Sequence, residues 1–216
     1  MPTIGLPFSP LPIAFPKYAV ILDDRQSRVR HFKHAFSNLK SVDNIYYKLP
    51  KMPWDTNDNH KTMWFVESPC SCFYKYSKYD IKPKPYFPEL KSLSDFVGKV
   101  TDLGGTNCVN VNLYEDQFSK VGFHSDSEPI FQADYIASDI ISISLGATRR
   151  FAIQAKEGNL SRHVQLEHGD ILTMEGLCQK FYKHALLASN EPVALRSHLT
   201  FRKIVQHRHP CILAKE

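Results

Sequence analysis

The chain has 216 residues and a formal net charge of +5, long enough for one domain with a substantial core. Its 43% hydrophobic content is that of a soluble globular protein and excludes a disordered or fibrous one. The mild positive charge suits an anionic partner, and equally a solvated basic surface.

The first segment carries Pro2, Pro7, Pro10, Pro12 and Pro16, with no basic residue before Lys17. It predicts an irregular surface arm, neither a signal peptide nor a membrane span. Asp23 or Asp24 is positioned to cap a helix through Leu39, with Val29, Phe32, Phe36 and Leu39 at helical spacing. Residues 44–88 hold short aromatic-rich segments broken by Pro and Asn, which predict hairpins and loops. A second helix follows Pro88, with Leu90, Leu93, Phe96, Val97 and Val100 on one face and Gly104-Gly105 ending it. Strands are predicted at 107–114, 139–145, 149–155, 163–167, 170–174, 181–187 and 196–205. Many short strands separated by turns indicate a sandwich or barrel. Five cysteines include Cys70-x-Cys72 but no second pair at zinc-ligand spacing. They read as reduced thiols in an intracellular compartment, nucleus or cytoplasm.

Three residues suggest a metal centre. His124 and Asp126 are one residue apart just after a predicted strand, and His184 stands near the C-terminus. Two imidazoles and a carboxylate can hold one face of a ferrous ion and leave the other open. By itself, His-x-Asp also arises by chance in a chain with 10 His. In the strand 107–114, Val109, Val111 and Leu113 alternate with Asn110, Asn112 and Tyr114, so Asn112 and Tyr114 share a polar face. In 196–202, Arg196, His198, Thr200 and Arg202 share one face. Two guanidinium groups on a buried face require anions, and a dicarboxylic acid would supply them. Pairing with surface acids is the alternative for these arginines.

The order of these motifs resembles the AlkB family of Fe(II)- and 2-oxoglutarate-dependent nucleic-acid dealkylases. The matching pattern runs from Asn107 and Asn112-x-Tyr114 through His124-x-Asp126-x-Glu128 and Ile141-Ser142-Ile143-Ser144-Leu145-Gly146. It continues through Arg150-Phe151, Gly169-Asp170-Ile171-Leu172, Met174, Gly176, Gln179 and His184 to Arg196-x-x-Leu199-Thr200-Phe201-Arg202. The DNA-repair branch is the nearest likeness, and Phe123–Phe131 is also similar to AlkB-like domains of plant RNA virus replicases. The resemblance implies a mainly β fold with flanking helices, a double-stranded β-helix (jelly-roll) core. It divides the chain into an arm and supporting helix (1–44), a nucleotide-recognition lid of hairpins (45–88) and a helix plus catalytic core (89–216).

It also implies site roles. His124, Asp126 and His184 would hold Fe(II), and Asn112, Tyr114, Arg196, Thr200 and Arg202 would hold 2-oxoglutarate, with Arg202 nearer the metal. Dioxygen is the further co-substrate. The substrate would be an N-alkylated base in DNA or RNA, demethylated with release of formaldehyde, succinate and carbon dioxide by a monomer that needs no membrane. The run Phe73–Phe87 holds four Lys and six aromatics. Lysines contact phosphates and aromatic faces stack on bases, although an edge hairpin with blunting lysines has the same composition. Trp64, Phe65, Tyr74 and Tyr76 are the candidates to stack on a flipped base. Ser127 and Glu128 are further candidate substrate contacts; repair members carry an acidic residue where Ser127 stands. The alternatives are a catalytically silent nucleic-acid-binding module and an oxygenase acting on protein. His163, His168, His198, His207 and His209 read as surface or core histidines.

Overall fold

A computed structural model describes residues 16–36, 40–56, 61–76 and 79–214, so most of the proline-bearing arm lies outside the described residues. The fold opens with β1 (Ala19–Asp24) and β2 (Ser27–Phe32), an antiparallel hairpin. This replaces the helix expected from Asp23 or Asp24, whose far end at Leu39 lies outside the described residues. Arg25 and Gln26 have φ of 51° and 59°, the left-handed pair that a two-residue hairpin turn requires. Val29 and Phe32 do sit at helical spacing. However, Ser27, Val29 and His31 are buried while Arg28 is exposed, which is strand alternation.

Next come α1 (Lys40–Lys48), a helix absent from the sequence expectation although Val42, Ile45, Tyr46 and Leu49 fall at helical spacing, a 3-10 turn at Leu49–Lys51, β3 (Asp55–Thr56) and β4 (Lys61–Val66). Two short strands, β5 (Tyr74–Tyr76) and β6 (Tyr79–Ile81), make a separate hairpin, and β7 (Pro83–Pro85) leads into α2 (Pro88–Thr101). Pro88 at the start of α2 loses no intrahelical hydrogen bond, because the first N–H groups have no acceptor anyway. Asp102, at φ 56°, ends the helix two residues before the glycine pair expected to do so.

The remaining elements are β8 (Cys108–Tyr114), β9 (Val121–His124), β10 (Ile140–Gly146), β11 (Arg149–Ala155), β12 (Ser161–Leu166), β13 (Ile171–Gly176), α3 (Cys178–Phe181), β14 (Tyr182–Leu186) and β15 (Arg196–Arg202). Seven of these match the expected strands to within about three residues; β9 and α3 lie outside the sequence expectation.

A large sheet runs β1-β2-β13-β10-β15-β8-β4-β3, with β7 added in parallel to β4. A smaller sheet runs β12-β11-β14-β9. The two sheets form the jelly-roll. Helices α1 and α2 cover the outer face of the large sheet: Val42, Ile45, Leu90, Leu93 and Val97 pack with Val109, Val111, Leu199 and Phe201. Each such side chain, fully buried, contributes about 1.5–3 kcal/mol. The opposite face of β8 and β15 therefore turns inward, between the sheets, where polar residues line a cavity. Strand β4 belongs to this framework, since it pairs with β8 along its whole length.

Candidate active site

The inner face is set by strand register. β15 pairs with β8 so that Arg196 lies opposite Tyr114, His198 opposite Asn112 and Thr200 opposite Asn110. On its other side Thr200 pairs with Ser142 and His198 with Ser144. Period-two geometry then sends Asn110, Asn112, Tyr114, Ser142, His198, Thr200 and Arg202 to one wall of a narrow cavity of about 40 Å³. The facing wall comes from the small sheet, with His124, Phe151 and His184, and Tyr74 and Ile81 of the β5–β6 hairpin also border it. A polar chain stiffens the wall: the Thr62 hydroxyl donates to the Asn110 side-chain carbonyl at 2.9 Å, and the Asn110 amide donates to Asn112 at 3.2 Å.

His124, Asp126 and His184 converge, their ligand atoms all within 4.8 Å of one another. Strand pairing causes this, because His124 and His184 are direct cross-strand partners of β9 and β14. Their ring centroids are 4.4 Å apart. Asp126 Oδ1 lies 3.4 Å from His124 Nε2 and 3.8 Å from His184 Nε2. The Asp126 loop is held by Gln179 of α3, which accepts the Asp126 backbone N–H at 2.9 Å. His124 Nδ1 donates to the Gly122 carbonyl at 2.8 Å. That fixes the tautomer with a lone pair on Nε2, as metal-ligating histidines require. Burial, with the His124 imidazole beside it, pushes His184 down to about 3, so it is a neutral imidazole able to coordinate. Phe151 stacks on it at 5.5 Å. Burial alone would raise the Asp126 carboxyl. The Arg202 guanidinium and the two imidazoles outweigh it and hold Asp126 well below the usual carboxylate range.

The two arginines are buried to 0% and 1% exposure but differ in partners. Arg202 Nη1 lies 3.0 Å from Asp126 Oδ2, and its guanidinium stands 4.3 Å from the Phe131 ring centroid. Arg196 meets no carboxylate among the described residues. It donates from Nη2 to the Ser144 hydroxyl at 2.7 Å and sits 5.4 Å from the Tyr114 ring. Its Nε and Nη1 have no hydrogen-bond partner among the described residues. A buried guanidinium with idle donors is a cradle for a carboxylate, since leaving them unpaired is costly. The alternative of surface acids does not apply to Arg196, which is fully buried.

The expected substrate contacts separate. Tyr74 borders the cavity, and its hydroxyl donates to Glu128 at 2.6 Å. Trp64 is completely buried, stacks behind Tyr74 at 4.8 Å and donates to the Cys72 carbonyl. It supports Tyr74 from behind and is not placed to stack on a base. Phe65 points to the other face of β4 and joins the core against α2, so the expectation that it stacks on substrate is corrected. Ser127 is half-buried in the loop after β9. Glu128 is engaged by Tyr74 and lies 3.8 Å from Arg202. The side chain of Tyr76 lies outside the described residues. His198, read as an ordinary histidine from the sequence, is on the cavity wall, and burial holds it well below its usual range. Thr62 is not singled out by the sequence either, and Asn110, Ser142 and Phe151 enter there only as parts of a strand pattern or motif, without a site role. Their polar or aromatic positions on the inward register were the available signal.

A family model described as the 2OG-Fe(II) oxygenase superfamily matches residues 20–203. The chain belongs to that superfamily, and the relatives it is similar to are AlkB proteins. It is 34% identical over 195 residues to the "DNA oxidative demethylase ALKBH2" of Bos taurus, covering 86% of this chain and 64% of the relative. It is 30% identical over 191 residues to the "Alpha-ketoglutarate-dependent dioxygenase alkB homolog 3" of Bos taurus, covering 79% and 64%. The chain thus spans less than two thirds of the length of these relatives. The solved "structure of OsALKBH1" superposes with a TM-score of 0.59 at 19% identity, over 86% of this chain and 100% of that one, and supports the jelly-roll fold. The superfamily works with Fe(II), 2-oxoglutarate and dioxygen, and the His124, Asp126 and His184 cluster is compatible with that set. No described helix is long and apolar enough to cross a membrane.

Proposed function

We propose that this chain is an Fe(II)- and 2-oxoglutarate-dependent dioxygenase that oxidatively demethylates N-alkylated bases in DNA or RNA. The observation that carries the reading is the convergence of His124, Asp126 and His184 beside a buried arginine with unpartnered donors. His124 Nε2, Asp126 Oδ1 and His184 Nε2 are the metal ligands. Arg196, with Nε and Nη1 free to donate, takes the remote carboxylate of 2-oxoglutarate. Asn112, Tyr114 and Thr200 line its path, and Arg202 orients the metal-side end while it holds Asp126.

When bound, iron with 2-oxoglutarate supplies the oxidation: one oxygen atom of O2 enters succinate as CO2 leaves, and the other enters the N-methyl C–H to give a hydroxymethyl group that departs as formaldehyde. The chain's own residues do the positioning. The neutral His184 keeps its lone pair for coordination. The Tyr74 ring, buried against Trp64 but lining the cavity, is the aromatic placed to meet a base drawn out of its helix, since a ring nitrogen inside a stack cannot be reached. The β5–β6 hairpin, with exposed Lys75 and with Lys82 immediately after it, faces the phosphate backbone. The names of the similar proteins, a DNA demethylase and an AlkB homologue, support this substrate class.

The test incubates the protein with Fe(II), 2-oxoglutarate and a panel of methylated DNA and RNA oligonucleotides. Demethylated product, quantified by mass spectrometry together with succinate, is the expected result. Succinate without product from any oligonucleotide would point to another substrate, such as protein. Absence of both would leave a silent binding module.

A further inference from the structure

A second cluster lies outside the cavity lining, in the buried cluster that holds Trp64. Cys70 and Cys72 sit in the loop between β4 and β5, and His207 and Cys211 in the segment after β15. The pairs are more than 130 residues apart in sequence, and the second one combines a histidine with a cysteine, so cysteine spacing alone hides it. We propose that Cys70, Cys72, His207 and Cys211 form a structural tetrahedral zinc site, distinct from the iron centre.

The distances carry the assignment. His207 Nδ1 lies 3.5 Å from Cys70 Sγ, 3.5 Å from Cys72 Sγ and 3.6 Å from Cys211 Sγ, and the sulfurs of Cys70 and Cys211 are 3.9 Å apart. Bond lengths of about 2.3 Å to sulfur and 2.0 Å to nitrogen at tetrahedral angles place sulfur and nitrogen about 3.5 Å apart and two sulfurs about 3.8 Å apart. The four atoms already stand near the corners of such a tetrahedron. A Cys3His set with all four corners filled by protein is a closed, structural site, whereas a catalytic zinc keeps a position open.

The surrounding donors fit as well. The Cys72 backbone N–H points at Cys70 Sγ at 3.5 Å, and the Ser71 N–H at Cys211 Sγ at 3.3 Å. Such N–H groups stabilise thiolates and orient metal ligands. A disulfide explains the cluster less well. The cysteines are free, 3.9 Å is far beyond an S–S bond, and a single bridge would use two of three sulfurs and leave the imidazole idle. The site would clamp the chain just after Arg202 to the loop just before Tyr74. The Cys72 carbonyl accepts the Trp64 indole N–H, and Trp64 stacks on Tyr74. The metal thereby braces the hairpin that borders the cavity mouth.

The experiment purifies the protein from zinc-supplemented cells, strips iron with a mild chelator and measures bound metal. One zinc per chain is expected in the wild type and in His124→Ala, and its loss in Cys211→Ser and in His207→Ala. A thiol-specific mercurial should release that zinc, and alkylation should reach Cys70, Cys72 and Cys211 only after release. Because the Cys variants could misfold, cobalt substitution of the wild type provides a second readout, expected to give the thiolate charge-transfer absorption of a tetrahedral sulfur-ligated ion. Wild-type protein with no zinc, no such absorption and freely alkylated thiols would overturn the proposal. So would zinc that disappears in His124→Ala and persists in Cys211→Ser. None of these readouts depends on demethylase activity.

Discussion

The Asp126 carboxylate is shared between two tasks: its Oδ1 faces the imidazoles of His124 and His184, and its Oδ2 lies 3.0 Å from the Arg202 guanidinium. Both partners of this ion pair are buried. The metal-binding carboxylate and the arginine at the end of β15 are therefore one unit, and removing either exposes the other to an uncompensated low-dielectric environment.

Asp126→Ala should abolish iron binding and also destabilise the protein, by about 3–5 kcal/mol for a broken buried pair. His124→Ala should abolish iron binding with a smaller loss of stability, because His124 is partly exposed at the cavity mouth. Metal content and chemical denaturation of the two variants check this. Equal stability of Asp126→Ala and wild type would contradict the pairing.

Arg196→Met should remove the 2-oxoglutarate carboxylate site while leaving the fold intact. The methionine fills similar volume without an idle buried charge, and such replacements are often neutral or stabilising. Loss of a charge-assisted hydrogen bond should weaken 2-oxoglutarate by about 1.5–3 kcal/mol. Calorimetric titration of 2-oxoglutarate with a redox-inert divalent metal measures it. Unchanged affinity would make Arg196 purely structural.

The lysines of the hairpin region should not be equivalent. Lys75 and Lys82 are exposed, Lys75 with only a loose 3.8 Å contact to the exposed Asp80, whereas Lys84 is held 2.8 Å from Asp55; Lys78 lies outside the described residues. Neutralising Lys75 or Lys82 should flatten the salt dependence of oligonucleotide binding by about 0.7–0.9 for each phosphate no longer neutralised, and Lys84→Ala should leave it nearly unchanged. Tyr74→Ala should instead cost about 1–3 kcal/mol of binding with the slope preserved. Affinities across a salt series distinguish these outcomes. Slopes unaffected by Lys75 and Lys82 would place the phosphate-binding surface elsewhere.

Stability of the metal-free protein should fall as pH drops through about 6.5. Burial, with the Arg196 charge nearby, holds His198 well below its usual range. In the unfolded chain it takes up a proton near pH 6.5, so below that pH the unfolded state binds a proton that the folded state excludes. Stability is then lost at up to about 1.4 kcal/mol per pH unit for this group, until the folded-state value is reached. His198→Leu should make the decline shallower in denaturation curves between pH 7 and 5. An identical slope in the variant would show that His198 is solvated.

Local pattern carried much of this protein. The alternation of Val109, Val111 and Leu113 with Asn110, Asn112 and Tyr114 determined which side chains of β8 face the cavity, and the even positions of β15 did the same for His198, Thr200 and Arg202. Both follow from the two-residue period of an extended backbone, which the chain encodes without reference to its neighbours. Pro88 and the apolar spacing after it similarly determined α2.

Only tertiary structure decided the rest. Val29, Phe32 and Phe36 satisfy a helical period, but edge-to-edge pairing with β13 made residues 27–32 a strand. Trp64 and Phe65 are adjacent aromatics of equal promise, and the register of β4 on β8 sent one behind Tyr74 and the other into the core. Asp126 meets Arg202, and Cys70 meets His207, across chain separations that no local period reports. Such pairings depend on strand order and on how two sheets close over each other. That is settled by the packing of the whole domain, because a side chain's partners are chosen by the space left once the strands are paired.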